Sequence, residues 1–86
     1  MRQGEHPHRL GPNQRAYLEA MQGGAELWHY DVWKMVYPTG AHTLDRARVQ
    51  SLIVHGYILG DRLESLPNGR TRHRFILTEQ AKRALQ

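Results

Sequence analysis

The sequence predicts an α+β domain with a small helical core and one projecting β-hairpin. One observation is the periodic apolar stretch 43–55, which has helical spacing and stops at Gly56. The other is a pair of segments rich in strand-forming residues, 57–66 and 70–77, on either side of Pro67-Asn68-Gly69. With 86 residues, the chain has room for one domain with a modest core.

Composition excludes several classes of protein. Hydrophobic residues make up 40% of the chain and charged residues 23%, as in ordinary globular domains. There is no cysteine, so neither a disulfide nor a thiolate-ligated metal can form. No apolar run approaches the roughly 20 residues that span a bilayer, and the N-terminal residues lack the apolar core of a signal peptide. We therefore expect a cytoplasmic protein with no membrane partner.

The charge balance favours an anionic partner. Twelve Lys and Arg against eight Asp and Glu give a formal net charge of +4 at pH 7. Arginine greatly outnumbers lysine, and its planar fork suits phosphate and guanine better than the lysine ammonium does. The codon usage of a GC-rich genome would also favour arginine. The local clustering of these residues is therefore more informative than their total.

The first third of the chain predicts a tail, a helix and a strand. Residues 1–11 show no periodicity, and we expect a flexible tail. The stretch 12–22 has helical spacing, with Pro12 at a typical first helical position and Gly23-Gly24 as a stop. The alternating, aromatic segment 26–30 predicts a short strand.

Two more helices are predicted next. An apolar stripe at helical spacing begins the first of them: Val32, Trp33, Val36 and Tyr37. Asp31 is a typical N-cap for this short helix, and Pro38 ends it. Thr43 is a candidate N-cap for the third helix, 43–55. Together with 12–22, these helices form the predicted three-helix core.

The register of the hairpin follows from separating apolar from charged side chains. A two-residue Asn68-Gly69 turn would mix both kinds on each face, whereas a three-residue loop, 67–69, separates them. In that register Leu59 faces Leu77, and Leu63 faces His73, with Phe75 on the same side. The other side carries Arg62, Glu64, Arg70, Arg72 and Arg74. This register leaves Asp61 pointing inward and Ile58 and Ile76 outward. Thr78 then caps a last helix that extends through Leu85.

Three short motifs invite comparison with a known family. Leu52 is followed by Gly56-Tyr57-Ile58, the hairpin has a glycine at its tip, and Phe75-Ile76-Leu77-Thr78-Glu79 opens the last helix. In this order of elements, 12–86 resembles the winged helix-turn-helix DNA-binding domain of MarR-type and PadR-type regulators. The resemblance implies a small winged helix-turn-helix fold: a three-helix core, a β-hairpin wing and a C-terminal helix.

The resemblance also implies a function, namely binding of double-stranded DNA by a small transcriptional regulator. Helix 43–55 would lie in the major groove, and the hairpin 57–77 would act as a basic wing. Base contacts are expected from Thr43, Arg46 and Gln50, and a phosphate contact from Arg48. The wing would add phosphate or minor-groove contacts from Arg70, Arg72 and Arg74. A homodimer is expected, because half-sites are normally read in pairs.

Two alternatives to DNA binding stay open for these residues. The first is purely structural: helix 43–55 would have a polar flank in any solvated helix, and arginines on an exposed strand also discourage edge-to-edge aggregation. The second is a different function, favoured by a second apolar stripe on that helix and by the aromatic strand 26–30. In this alternative the domain is a winged-helix protein-protein interaction module that docks on a polymerase, a replication protein or another regulator.

Nothing in the sequence indicates catalysis. There are no paired carboxylates, no phosphate-binding loop and no nucleophile with a neighbouring base, so we expect that the protein is not an enzyme. Six histidines are scattered along the chain without carboxylates at ligand spacing. We therefore expect no metal and no other cofactor.

Overall fold

A five-stranded antiparallel sheet dominates the computed structural model, which describes residues 10–86. The elements in chain order are α1 (Pro12–Gln22), β1 (Glu26–Tyr30), β2 (Val32–Tyr37), β3 (Gly40–Thr43), α2 (Arg46–Val54), β4 (Ile58–Ser65), β5 (Thr71–Leu77) and α3 (Glu79–Ala84). The strands lie in the order β3-β2-β1-β5-β4. The chain is therefore α+β, but the predicted winged helix-turn-helix fold with its three-helix core is wrong.

The segment predicted as the second helix is strand β2, which pairs with both β1 and β3. Its side chains alternate: Trp33 and Met35 are buried, whereas Lys34 and Val36 are exposed. Two β-branched and two aromatic residues in six favour a strand, because they pack well on a pleated surface. Asp31 takes a positive φ of 62° in the turn before β2 instead of capping a helix. Without this helix there is no helix-turn-helix motif.

The predicted third helix is shorter than expected at its start. Thr43 belongs to strand β3, and α2 begins at Arg46. Its N-cap is Asp45, whose carboxylate accepts a hydrogen bond of 3.1 Å from the backbone N–H of Arg48. The C-terminal stop at Gly56 is confirmed, since this residue takes a φ of 79° that favours glycine.

Several other predicted elements are confirmed. Helix α1 and strand β1 have the predicted bounds, 12–22 and 26–30. Thr78 caps α3, because its hydroxyl accepts a hydrogen bond from the N–H of Ala81 at 3.2 Å. The same hydroxyl donates to the carbonyl of Gly56 at 2.6 Å, which ties the start of α3 to the end of α2. Most of the predicted tail, 1–11, lies outside the described residues, and Leu10 packs against the core.

The three-residue hairpin loop is also confirmed. Leu66 donates its N–H to the carbonyl of Arg70 at 2.7 Å, and Gly69 takes a φ of 84° at the tip. Leu63 faces His73 as predicted. A bulge between Gly60 and Arg62 then shifts the rest of β4 by one residue. As a consequence, Leu59 faces Ile76 instead of Leu77. Ile58 is buried and Asp61 is exposed, each contrary to prediction.

The two faces of the sheet have different coverings. The helix face, which carries Leu27, Met35 and Ile58, packs against α1, α2 and α3 in one core. The helices contribute the fully buried residues Leu18, Val49, Leu52 and Ala81. The open face carries the alternating residues that point away from the helices, among them Trp28, Lys34, Arg72 and Arg74. Among residues 10–86, no helix is long and apolar enough to cross a membrane.

Strand β2 can be tested by comparing two neighbouring substitutions. Met35→Ala should lower the free energy of unfolding by about 2–5 kcal/mol, because Met35 is fully buried on the helix face. Val36→Ala should cost well under half of that, because Val36 lies on the open face and is 36% exposed. Urea unfolding measures both. A helix over 32–37 would place Val36 in the apolar stripe, so a larger loss from Val36→Ala would contradict the strand.

Candidate nucleic-acid interface

The predicted DNA-contacting residues lie in two groups that the sheet separates. Helix α2 packs on the helix face through Val49 and Leu52. Arg72 and Arg74 point from β5 to the open face, since they alternate with Phe75, which packs against the core. The structure therefore does not bring the hairpin arginines and α2 together in one surface. The expected arrangement of a groove-binding helix beside a basic wing is absent from residues 10–86.

Arg70 lies at the hairpin loop and already has an anionic partner. Its Nη2 donates to both carboxylate oxygens of Asp31, at 3.0 and 3.2 Å. The guanidinium carbon lies 4.8 Å from the ring centre of Tyr30. Asn68 completes the contact by donating from Nδ2 to the Tyr30 hydroxyl at 3.2 Å. These contacts tie the β4–β5 loop to the β1–β2 turn.

Arg72 covers an aromatic ring on the open face. Its guanidinium carbon lies 3.7 Å from the ring centre of Trp28, and its Nε donates to Oε1 of Glu64 at 2.7 Å. Trp28 is only 4% exposed although no helix covers it. Its indole N–H donates to Oε1 of Glu26 at 3.0 Å. Arg72 thus joins β4, β5 and β1 and shields the indole from water.

Arg74 is the most enclosed of the three arginines. Its Nη2 lies 4.0 Å from Oε2 of Glu26, and its side chain is 29% exposed. Its Nε is buried and has no hydrogen-bond partner. Arg70, Arg72 and Arg74 therefore each have a carboxylate beside them, which reduces the positive potential of this face. The three clustered arginines of the sequence form three ion pairs.

The start of α2 has a different electrostatic character. Arg48 lies against a neutral group, the side-chain amide of Asn13. With the amide assigned so that its oxygen faces the guanidinium, which satisfies donors and acceptors, that oxygen accepts hydrogen bonds from Nη1 and Nη2 at 3.1 and 3.2 Å. Gln14 donates from Nε2 to the carbonyl of Arg48 at 3.4 Å. Arg46, two residues earlier on the same helix, is also exposed. Neither arginine pairs with a carboxylate within residues 10–86, and Asp45 is engaged in capping α2.

We call the exposed polar residues of this helix, Arg46, Arg48 and Gln50, the α2 corner. Thr43, which was predicted to act with them, is opposite Lys34 in the β2–β3 register, so both of these exposed side chains point to the open face and lie outside the α2 corner. Gln50 is exposed one turn after Arg46. The sequence did not reveal that Thr43 and Lys34 share the open face, because 32–37 was assigned to a helix. Alternation along that segment was the signal that would have found it.

A hollow beside Arg48 separates the starts of α1 and α2. Its volume is about 370 Å³, it is open to solvent, and it is lined by Gly11, Pro12, Asn13, Gln14, Ala47, Arg48 and Ser51. Within residues 10–86, no ion pair neutralises the arginine that lines it. An anionic group could therefore approach Arg48 from this side.

The open face also contains a mainly apolar groove of about 260 Å³. It is lined by Trp28, Tyr30, Val32, Lys34, Val36, Ala41, Leu66 and Arg72. Val32 and Val36 are 42% and 36% exposed. The lining includes two cations and no carboxylate, so an apolar partner with acidic residues would fit it best.

Comparison with known proteins gives no relative for this chain. No family model, no curated protein and no solved structure matches it. The described residues also contain no group of three or more His, Asp or Glu side chains placed to bind a metal ion. The geometry and charges of the domain itself are therefore the guide to its function.

A structural role for Arg72 predicts a loss of stability when it is removed. Arg72→Ala should lower the free energy of unfolding by about 1–2 kcal/mol, because it removes a half-exposed ion pair and a cation–π contact and exposes Trp28 to water. Arg46→Ala is the matched control and should change it by less than about 0.5 kcal/mol. Urea unfolding monitored by tryptophan fluorescence measures both. Equal stability of the two variants would contradict this role.

Proposed function

We propose that the protein binds double-stranded DNA through the α2 corner. The observation that carries this proposal is the contrast between the two groups of arginines. Arg70, Arg72 and Arg74 are paired with Asp31, Glu64 and Glu26, whereas Arg46 and Arg48 have no carboxylate partner within residues 10–86. Exposed arginines without a carboxylate partner attract phosphate groups more strongly than arginines that already form ion pairs.

The side chains of the α2 corner divide into two chemical roles. Arg48, which lies against Asn13, is suited to phosphate oxygens, because it supplies charge without reading sequence. Arg46 and Gln50 lie one turn apart on an exposed flank. Arginine and glutamine can form bidentate hydrogen bonds with guanine and adenine edges. Arg46 and Gln50 are therefore the proposed base-contacting residues.

The salt dependence of binding distinguishes this site from a basic wing. The two cations of the α2 corner, Arg46 and Arg48, would give a slope of about −1.8 for log K against log salt concentration, from roughly −0.9 per neutralised phosphate. Adding Arg70, Arg72 and Arg74 would steepen that slope to about −4.5. Fluorescence anisotropy on a duplex obtained by binding-site selection measures the slope. A value near the steeper figure would contradict the role given to the ion pairs.

Variants test the site directly. Arg46→Ala with Arg48→Ala should weaken DNA binding by about tenfold or more, because each change removes a charge-assisted contact. Arg62→Ala with Arg83→Ala removes the same charge from two exposed residues elsewhere and should have much less effect. Equal weakening by both double variants would indicate attraction by net charge alone. Failure of the wild-type protein to bind any selected duplex would overturn the proposal.

The apolar groove on the open face supports a second candidate, a protein-interaction module. Its partner would be an apolar segment with acidic residues, because Lys34 and Arg72 line the groove. A photo-crosslinking residue in place of Val32 should then capture one defined protein in cells. The same residue in place of Val54, which is 79% exposed on α2, should not capture it. Identical products from both positions would contradict a specific site.

A further inference from the structure

The two edge strands of the sheet differ in how they are protected against pairing with another strand. The β4 edge has a bulge between Gly60 and Arg62 and carries Asp61, Arg62 and Glu64. Bulges and charged side chains are devices that keep edges from pairing. The β3 edge, 40–43, has neither: its four residues are uncharged and all are exposed. Only one edge of the described sheet is therefore suited to further strand addition.

The hydrogen-bond pattern of β3 identifies the backbone groups that are available. Leu44 donates its N–H to the carbonyl of Trp33 at 2.8 Å, so this pair is bonded across the β2–β3 ladder. Bonded and non-bonded pairs alternate in an antiparallel ladder, which makes the Met35 and His42 pair bonded as well. The N–H and C=O groups of Ala41 and Thr43 consequently point outward from the sheet.

We infer that β3 pairs with β3 of a second copy of this chain, antiparallel and about a two-fold axis at His42. In this register Ala41 faces Thr43 of the second copy, and each such pair forms two backbone hydrogen bonds. The result is a continuous sheet across two subunits. This inference goes beyond the proposed function and does not require DNA.

A two-fold axis allows a second copy to pair with this edge without any conflict of charge. The outward donors and acceptors of Ala41 match those of Thr43 under the two-fold, and no formal charge lies on either strand. The nearest cation, Lys34, lies one strand inward opposite Thr43, so the axis places the two lysines at different ends of the joined strands. No like charges meet across the interface.

The interface also extends the apolar part of the open face. Val36 and Ala41 are opposite each other within one subunit and both face the groove. Pairing brings Thr43 of the second copy beside Ala41, so that its methyl group adds to this surface. Four-residue edges bury little area, and small interfaces are typical of weak complexes. We therefore expect reversible association that depends on protein concentration.

Proline substitutions at outward-facing residues test the pairing. Ala41→Pro removes an outward N–H in each subunit, and thus two of the four intersubunit hydrogen bonds, without breaking the ladder to β2. Self-association should weaken by about thirtyfold. Ser65→Pro is the matched control, since Leu66 is bonded to Arg70 and the N–H of Ser65 therefore points outward from β4. It should leave self-association unchanged.

Sedimentation equilibrium without DNA gives the measurement, with circular dichroism to verify folding. The wild-type protein should change with concentration from the 10.0 kDa monomer to a species of twice that mass. If Ala41→Pro impairs folding, His42→Lys serves instead, because it places two ammonium groups opposite each other; Ser65→Lys is its control. A monomer at all concentrations, or a loss caused only by the Ser65 variants, would overturn the inference.

Discussion

The pairing of β1 with β5 is the contact on which the rest of the domain depends. It joins the β1–β2–β3 meander to the β4–β5 hairpin, which are otherwise separate in the sheet order. Its register sets Leu27 opposite Phe75 on the helix face and Trp28 opposite Arg74 on the open face. The first pair contributes to the core beneath the helices, and the second brings aromatic and cationic side chains together. One register therefore determines the contents of both faces.

The local elements of this fold could largely be predicted from sequence. Pro12 and Gly23-Gly24 define α1, Gly56 ends α2, and Thr78 caps α3. The hairpin loop followed from separating apolar from charged residues. These features depend on local backbone chemistry, which a single sequence displays directly.

The error in the fold came from one ambiguous segment. Residues 32–37 contain apolar side chains that fit a helical stripe, and they also alternate through Trp33, Met35 and Tyr37. Periodicity cannot separate the two in so short a run. The strand is stabilised by its pairing with β1 and β3, which is a tertiary effect. The resemblance to a winged helix depended on a helix over 32–37, and it does not hold because this segment is a strand.

The candidate site could be predicted only in part for a related reason. A cluster of arginines in the sequence reports charge, but not which carboxylates lie beside it. Asp31 and Glu26 come from distant segments and neutralise Arg70 and Arg74 only through the fold. Arg46 and Arg48 were recognised from the sequence, whereas the position of Thr43 on the open face beside Lys34 follows only from the pairing of β2 with β3. Whether an arginine is available for an anionic ligand can be judged only when its carboxylate partners in the fold are known.

The position of Arg72 over Trp28 gives part of the arginine-rich composition a structural meaning. A guanidinium can lie flat on an indole while its edge binds a carboxylate, as Arg72 does with Trp28 and Glu64. A lysine ammonium has no flat surface and would have to give up one of these contacts. On this strand the arginine side chain therefore forms a small second layer above the sheet, on the side that no helix covers.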